Sequence, residues 1–129
     1  MENEQENKEK EVVETPTQEE LIDYDYFAKI KFRVAEIIAA EALPKSKKLV
    51  KLQINLGQEL GQRQILAGIS QYYSPETLVG RKIIVVANLK PAMLMGQESR
   101  GMLLAASNDE SGIVLLQPEK DIAPGAEVR

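Results

Sequence analysis

The side chains able to do chemistry in this chain are few and of a narrow kind. Its 129 residues include no histidine and no cysteine. The commonest general base and the commonest neutral metal ligand are missing. So are thiolate nucleophiles, thiolate metal sites and disulfides. A hydrolase using Glu98 and Ser99 would lack a base with a suitable partner. The chemistry this inventory favours is binding. Between Lys29 and Arg100 stand twelve basic and five acidic residues, a net of +7. Residues 1–26 carry ten acidic groups against Lys8 and Lys10, so the formal charge of −4 hides a division. Such a split describes an acidic tail on a body suited to an anionic partner, with a merely solvated charged surface as the plain alternative.

These cations need elements to place them. Residues 1–20 are rich in Glu, Gln, Asn and Lys and poor in apolar side chains. They cannot bury enough surface to offset their ordering entropy, and are expected to be a disordered tail or linker. Thr17-Gln-Glu-Glu20 matches a capping box. Residues 21–129 are expected to form one folded domain. Asp25 is placed to cap a short helix carrying Phe27 into the core. Ile30, Phe32 and Val34 alternate with Lys31, Arg33 and Ala35, which predicts a half-buried strand with a basic outer face. Glu36-Ile-Ile38 breaks that alternation, and a bulge near Ala35 would account for it.

Leu43-Pro-Lys-Ser-Lys-Lys48 is a turn carrying Lys45, Lys47 and Lys48. Val50 to Leu56 alternates again, with Lys51 on the polar face, and predicts a second strand. Arg63 to Ala67 predicts a third, after a hairpin-like connection over Gly57–Gly61. Ser74-Pro-Glu-Thr predicts a short helix with proline at its first position. Lys82–Ala87, Ser99–Ala106 and Ile113–Leu116 predict three further strands. Five or six short strands with a helix between the third and fourth is the order of an OB-fold barrel, an all-β class. No apolar run approaches the ~20 residues of a membrane span, and no basic-then-apolar signal opens the chain. The reading is cytoplasmic.

One stretch is more specific. Val85 to Ala106 reads VVANLKPAMLMGQESRGMLLAA. Pro91 cannot continue a central ladder, and Asn88 can pin the strand exit by bonding nearby backbone. The expected result is a stiffened loop presenting Lys90, Met93, Met95, Ser99 and Arg100 at the barrel rim.

Asn88-Leu-Lys-Pro91, the following Met-Gly and Ser99-Arg-Gly-Met102 are joined by Phe32-Arg-Val34, Lys48-Leu-Val-Lys-Leu52, Leu66-Ala-Gly-Ile69 and Pro124-Gly-Ala-Glu-Val128. On these residues the chain resembles the tRNA-binding module at the C-terminus of many bacterial methionyl-tRNA synthetases. The same module occurs as free-standing dimeric tRNA-binding proteins. The resemblance runs from about Ile22 to Arg129. It implies an OB-fold that meets the outer corner of tRNA, a homodimer completed by structure after the barrel, and possible attachment to a synthetase catalytic domain. It places Asn88, Lys90, Ser99 and Met102 on the signature loop and Arg33 on the first-strand arginine. Departures are Lys31 for an acidic residue, Ala35 for glycine, Ser46-Lys-Lys-Leu49 for Ala-Asp-Lys-Leu, and Met93 for a lysine.

The expected RNA-facing set is therefore Lys31, Arg33, Lys45, Lys47, Lys48, Lys51, Asn88, Lys90, Ser99, Arg100 and Met102, with no cofactor and no metal. Ile122 and Val128 are the expected dimer-interface residues. Alanine at Arg33, Lys90 or Arg100 is expected to weaken binding and leave folding intact. With two Phe and no Trp, a single-strand binder dominated by base stacking is disfavoured. The alternative on the same fold is a CsaA-type chaperone or protein-assembly module.

Overall fold

The fold comes from a computed structural model, which describes residues 19–129. The expected acidic tail lies almost wholly outside these residues, as does the start of the Thr17–Glu20 capping box. A short helix α1 (Tyr24–Ala28) leads in. Ten strands follow: β1 (Phe32–Ala42), β2 (Val50–Asn55), β3 (Gln62–Ala67), β4 (Lys82–Val86), β5 (Ala92–Leu94), β6 (Gln97–Ser99), β7 (Met102–Leu103), β8 (Ala105–Asn108), β9 (Gly112–Leu115) and β10 (Glu127–Val128). Single helical turns α2 (Gly57–Leu60) and α3 (Pro75–Leu78) sit before β3 and β4. The helical insertion thus falls between the third and fourth strands, in the OB-fold order expected.

The curl of the sheet is set by β1, which serves two partners in turn. Phe32 to Glu36 pairs antiparallel with β4, and Glu36 to Ala42 pairs antiparallel with β2. The register slips between Ile37 and Ala39, not near Ala35. A bulge there bends and twists the strand. It buries Ile37 completely and leaves Ile38 at the surface. The sheet runs β3-β2-β1-β4-β7, with β10 on β1.

Closure runs through side chains as well as backbone. The Arg100 amide donates to the Gln64 carbonyl at 2.9 Å. The Leu66 amide donates to Ser99 Oγ at 3.0 Å, and that hydroxyl donates to the Gly101 carbonyl at 3.1 Å. From there β7 pairs with β4, so residues 99–103 join β3 to β4. Gly101 sits at φ +132, where a Cβ would press on the Val86 carbonyl at 3.1 Å. Only glycine takes that backbone path without strain.

The core holds Ala35, Ile37, Val50, Leu52, Ile54, Leu56, Ile65, Leu78, Ile83 and Val85. Each fully buried Leu, Ile or Val contributes about 1.5–3 kcal/mol relative to exposure. β2 follows its sequence alternation, with Val50, Leu52 and Ile54 inward. β1 does not follow its predicted sense. The residues it sends into the core are Ala35 and Ile37, while Phe32 and Val34 lie on the opposite face. Val34 is buried there by the chain's end: its amide donates to the Ala126 carbonyl, and its carbonyl accepts from the Gly125 amide. The alternation was legible, but it marks a second apolar face and not the barrel interior. The cap of α1 is Asp23, whose carboxylate accepts from the Tyr26 amide at 2.9 Å, and not Asp25. Phe27 is half-buried beside Phe32, ring centroids 5.9 Å apart.

The stretch expected as a loop and then one strand is a separate hairpin. β5 and β6 pair around Met95-Gly96, and the predicted strand Ser99–Ala106 divides into β7 and β8. Both turn residues have positive φ, 52° at Met95 and 77° at Gly96. That is the type I′ signature of two-residue hairpins. Met95 is the one non-glycine residue with positive φ among the described residues. A methionine there costs about 1 kcal/mol or more, because its Cβ crowds the carbonyl.

Candidate nucleic-acid interface

Asn88 is a two-sided clamp. Its Oδ1 accepts from the Lys31 amide at 2.9 Å, and its Nδ2 donates to the Lys29 carbonyl at 2.7 Å. The exit of β4 is thereby fastened to the entry of β1. Lys31 and Lys90, both exposed, are brought to the same end of the barrel. Arg100 is exposed next to the buried Ser99. Ser99 is held inside the closure described above, with its hydroxyl engaged on both sides.

The lysine turn is the other cationic group. Ser46 Oγ accepts from the amides of Lys48 and Leu49 at 3.2 and 3.0 Å. Ser70 donates from its hydroxyl to the Lys47 carbonyl at 2.8 Å and from its amide to the Lys48 carbonyl at 3.0 Å. The backbone is fixed while Lys45, Lys47 and Lys48 stay exposed. This turn follows the C-terminal end of β1, whereas Lys31 precedes its start. Eleven strand residues at ~3.3 Å each separate the two groups by roughly 30 Å. The fold therefore gathers Lys31, Asn88 and Lys90, and holds Lys45, Lys47 and Lys48 apart from them.

Two of the expected cations are engaged internally as well. Arg33 has a side chain only 19% exposed, with Nη1 donating to the Gly125 carbonyl at 3.0 Å. Glu59 and Glu127 lie 3.5 and 3.8 Å from its guanidinium. Lys51 pairs with Glu41 at 3.3 Å. Among the described residues, no carboxylate pairs with Lys31, Lys45, Lys47, Lys48, Lys90 or Arg100.

Met102 is half-exposed in an apolar groove of about 460 Å³ on the second face of β1 and β4. Ile30, Phe32, Val86, Leu89 and Leu104 line it with Met102, between Lys29 and Asn88. Of the expected interface residues, Val128 pairs with Phe32 at its edge. Ile122 is 43% exposed and lies elsewhere, its carbonyl accepting from Lys82 Nζ. Lys82 Nζ also bonds Asp121 at 2.7 Å, and this hydrogen bond and its charge hold the Asp121 carboxyl below its ordinary pKa.

Arg63 escaped the sequence reading. Its Nη1 donates to the Ala87 carbonyl at 2.6 Å, reaching from β3 to the end of β4. Its Nε is buried without a partner among the described residues. Burial first, and then the charge of Arg100, lowers its pKa. Position 63 opens a predicted strand, and nothing in the local pattern separates it from a surface arginine. Tyr73 is likewise a packing residue: its hydroxyl accepts from the Leu115 amide at 3.1 Å, and Arg81 stacks over its ring at 5.3 Å.

The family described as "Putative tRNA binding domain" matches residues 32–127. The methionine–tRNA ligase of Methanocaldococcus jannaschii is 54% identical over 110 residues, covering 85% of this chain and 17% of that protein. The chain thus spans under a fifth of such curated relatives. The MetRS-related protein of Pyrococcus horikoshii is 37% identical, with a TM-score of 0.80, over 86% of this chain and all of that one. The chaperone CsaA of Bacillus anthracis is 29% identical, with a TM-score of 0.78, over 85% of this chain and all of that one. By extent of match and by fold, this chain belongs to the tRNA-binding domain family.

Proposed function

We propose that this chain is a non-catalytic module that binds folded tRNA through phosphate contacts at the barrel rim. The observation that carries this reading is the set of exposed cations, Lys31, Lys45, Lys47, Lys48, Lys90 and Arg100, none with a carboxylate partner among the described residues. Each phosphate a cation neutralises releases counterions, so affinity falls as salt rises. Contacts to shape, phosphates and 2′-hydroxyls suit a binder that accepts many tRNAs. Asn88, Ser99 and Arg33 serve as positioning residues, since their polar atoms fasten backbone. In a longer protein the module would raise the local tRNA concentration at a synthetase catalytic domain.

The module acts as a homodimer in this reading, and the groove at Ile30, Phe32, Leu89 and Met102 is the face that supports it. Open apolar surface next to an OB barrel is what a second copy would cover. The likeness to CsaA and that same groove favour one rival, a binder of apolar protein clients.

The test is a titration against bulk tRNA at low and moderate salt, with unstructured RNA of equal length as competitor. Preferential, salt-sensitive binding of tRNA is the expected result. Equal binding of both RNAs would reduce the basic rim to a non-specific patch. No RNA binding, with apolar client binding that persists at high salt, would favour the chaperone.

A further inference from the structure

The β5–β6 hairpin pairs with no strand of the main sheet and is fastened to β3 by hydrogen bonds along β6. Gln64 Nε2 donates to the Glu98 carbonyl at 2.9 Å and lies 3.3 Å from Gln97 Oε1. Ser99 and Arg100 complete that attachment through Leu66 and Gln64. Beyond these contacts, β5 and the Met95-Gly96 turn are left exposed. Leu94 and Gln97 pair beside the turn on the face towards β3, while Met93 and Glu98 pair on the outward face. The free end exposes Met93 at 66%, Leu94 at 40% and Met95 at 55%.

This tip is the reverse of what folding alone would select. A type I′ turn is best served by asparagine or aspartate before the glycine. Met95 accepts the unfavourable positive φ while staying 55% exposed. Strain kept where it does not aid packing points to a role in function. The tip is flanked along the chain by Lys90 and Arg100, so positive charge stands on both sides of its base. Glu98 is the one carboxylate on the ribbon.

We propose that the Met93–Met95 tip is an apolar wedge that packs against nucleobases of the bound tRNA, while Lys90 and Arg100 at its base hold the adjoining phosphates. Methionine suits this because its flexible, polarisable thioether conforms to flat aromatic faces. A base face is open to such contact where the RNA strand is unstacked. The inference rests on the tRNA-binding reading above.

The decisive variant is Met95→Asn, which improves the turn and removes the wedge. Its melting temperature is expected to rise by about 2–5 °C. Its affinity for bulk tRNA is expected to fall about five- to tenfold at both low and moderate salt. The slope of log affinity against log salt should stay at the wild-type value, because no phosphate contact is removed. Met93→Gln should show the same pattern of binding loss. If wild type binds tRNA and both variants bind as well, the wedge is wrong and the tRNA reading stands. If affinity falls together with a drop in molecular mass by sedimentation, the tip touches a second copy and the proposal fails. If wild type does not bind tRNA, both readings fall together.

Discussion

Among the residues, the cations divide into those spent on the fold and those left for a partner. Arg33 bonds the Gly125 carbonyl from a largely buried position, and it faces Glu59 and Glu127. Arg33→Ala should therefore cost about 1–3 kcal/mol of stability in urea denaturation. Lys90→Ala and Arg100→Ala remove exposed side chains and should leave stability within about 0.5 kcal/mol. Each should instead weaken tRNA binding by about 1 kcal/mol and lower the salt slope by about one. A stable Arg33→Ala protein would show that the seam between β1 and the chain's end does not depend on that guanidinium. Motif position suggested the same role for all three residues. Their burial and partners separate them, and neither is written in a local pattern.

At the level of elements, the barrel depends on short latches between strands that are distant in sequence. Asn88 joins the end of β4 to the start of β1, Ser99 joins the β6 end to β3, and Lys82 joins β4 to the segment before β10. The last of these titrates. Asp121 has its folded pKa below the ordinary carboxylate value. Its contribution to stability is therefore present above that ordinary value and is lost as pH falls through the folded one. Asp121→Asn should melt below wild type at pH 7, and the difference should shrink as pH falls below the ordinary carboxylate value. No gap in melting temperature at pH 7 would mean that Lys82 is held mainly by the Ile122 carbonyl, 2.6 Å away.

For the whole molecule, one sheet carries two apolar faces. The inner face closes on Ile37, Leu52, Ile54 and Ile83. The outer one, around Phe32 and Met102, is left open. A homodimer through that groove predicts a solution mass twice 14.4 kDa. Replacing Leu89 and Met102 together by glutamate should halve that mass in sedimentation equilibrium, since paired charges cannot be buried there cheaply. A double variant that keeps the wild-type mass would exclude the groove as the interface.

The sequence by itself determined the OB-fold order, because alternation at Val50–Ile54, the apolar run at Ile83–Val86 and the proline-started helix at Pro75 are local signals with local causes. It also determined the family, through Asn88 to Pro91 and Ser99 to Met102, and the cationic character of the rim. Only the tertiary structure decided which way β1 faces. Period-two alternation defines two sides of a strand but does not say which side is the core. That depended on β4, β2 and the chain's end meeting at one strand. The inward turn of Ser99 and the engagement of Arg33 and Arg63 share that physical reason. Each is fixed by partners or backbone paths that form only when distant segments come together.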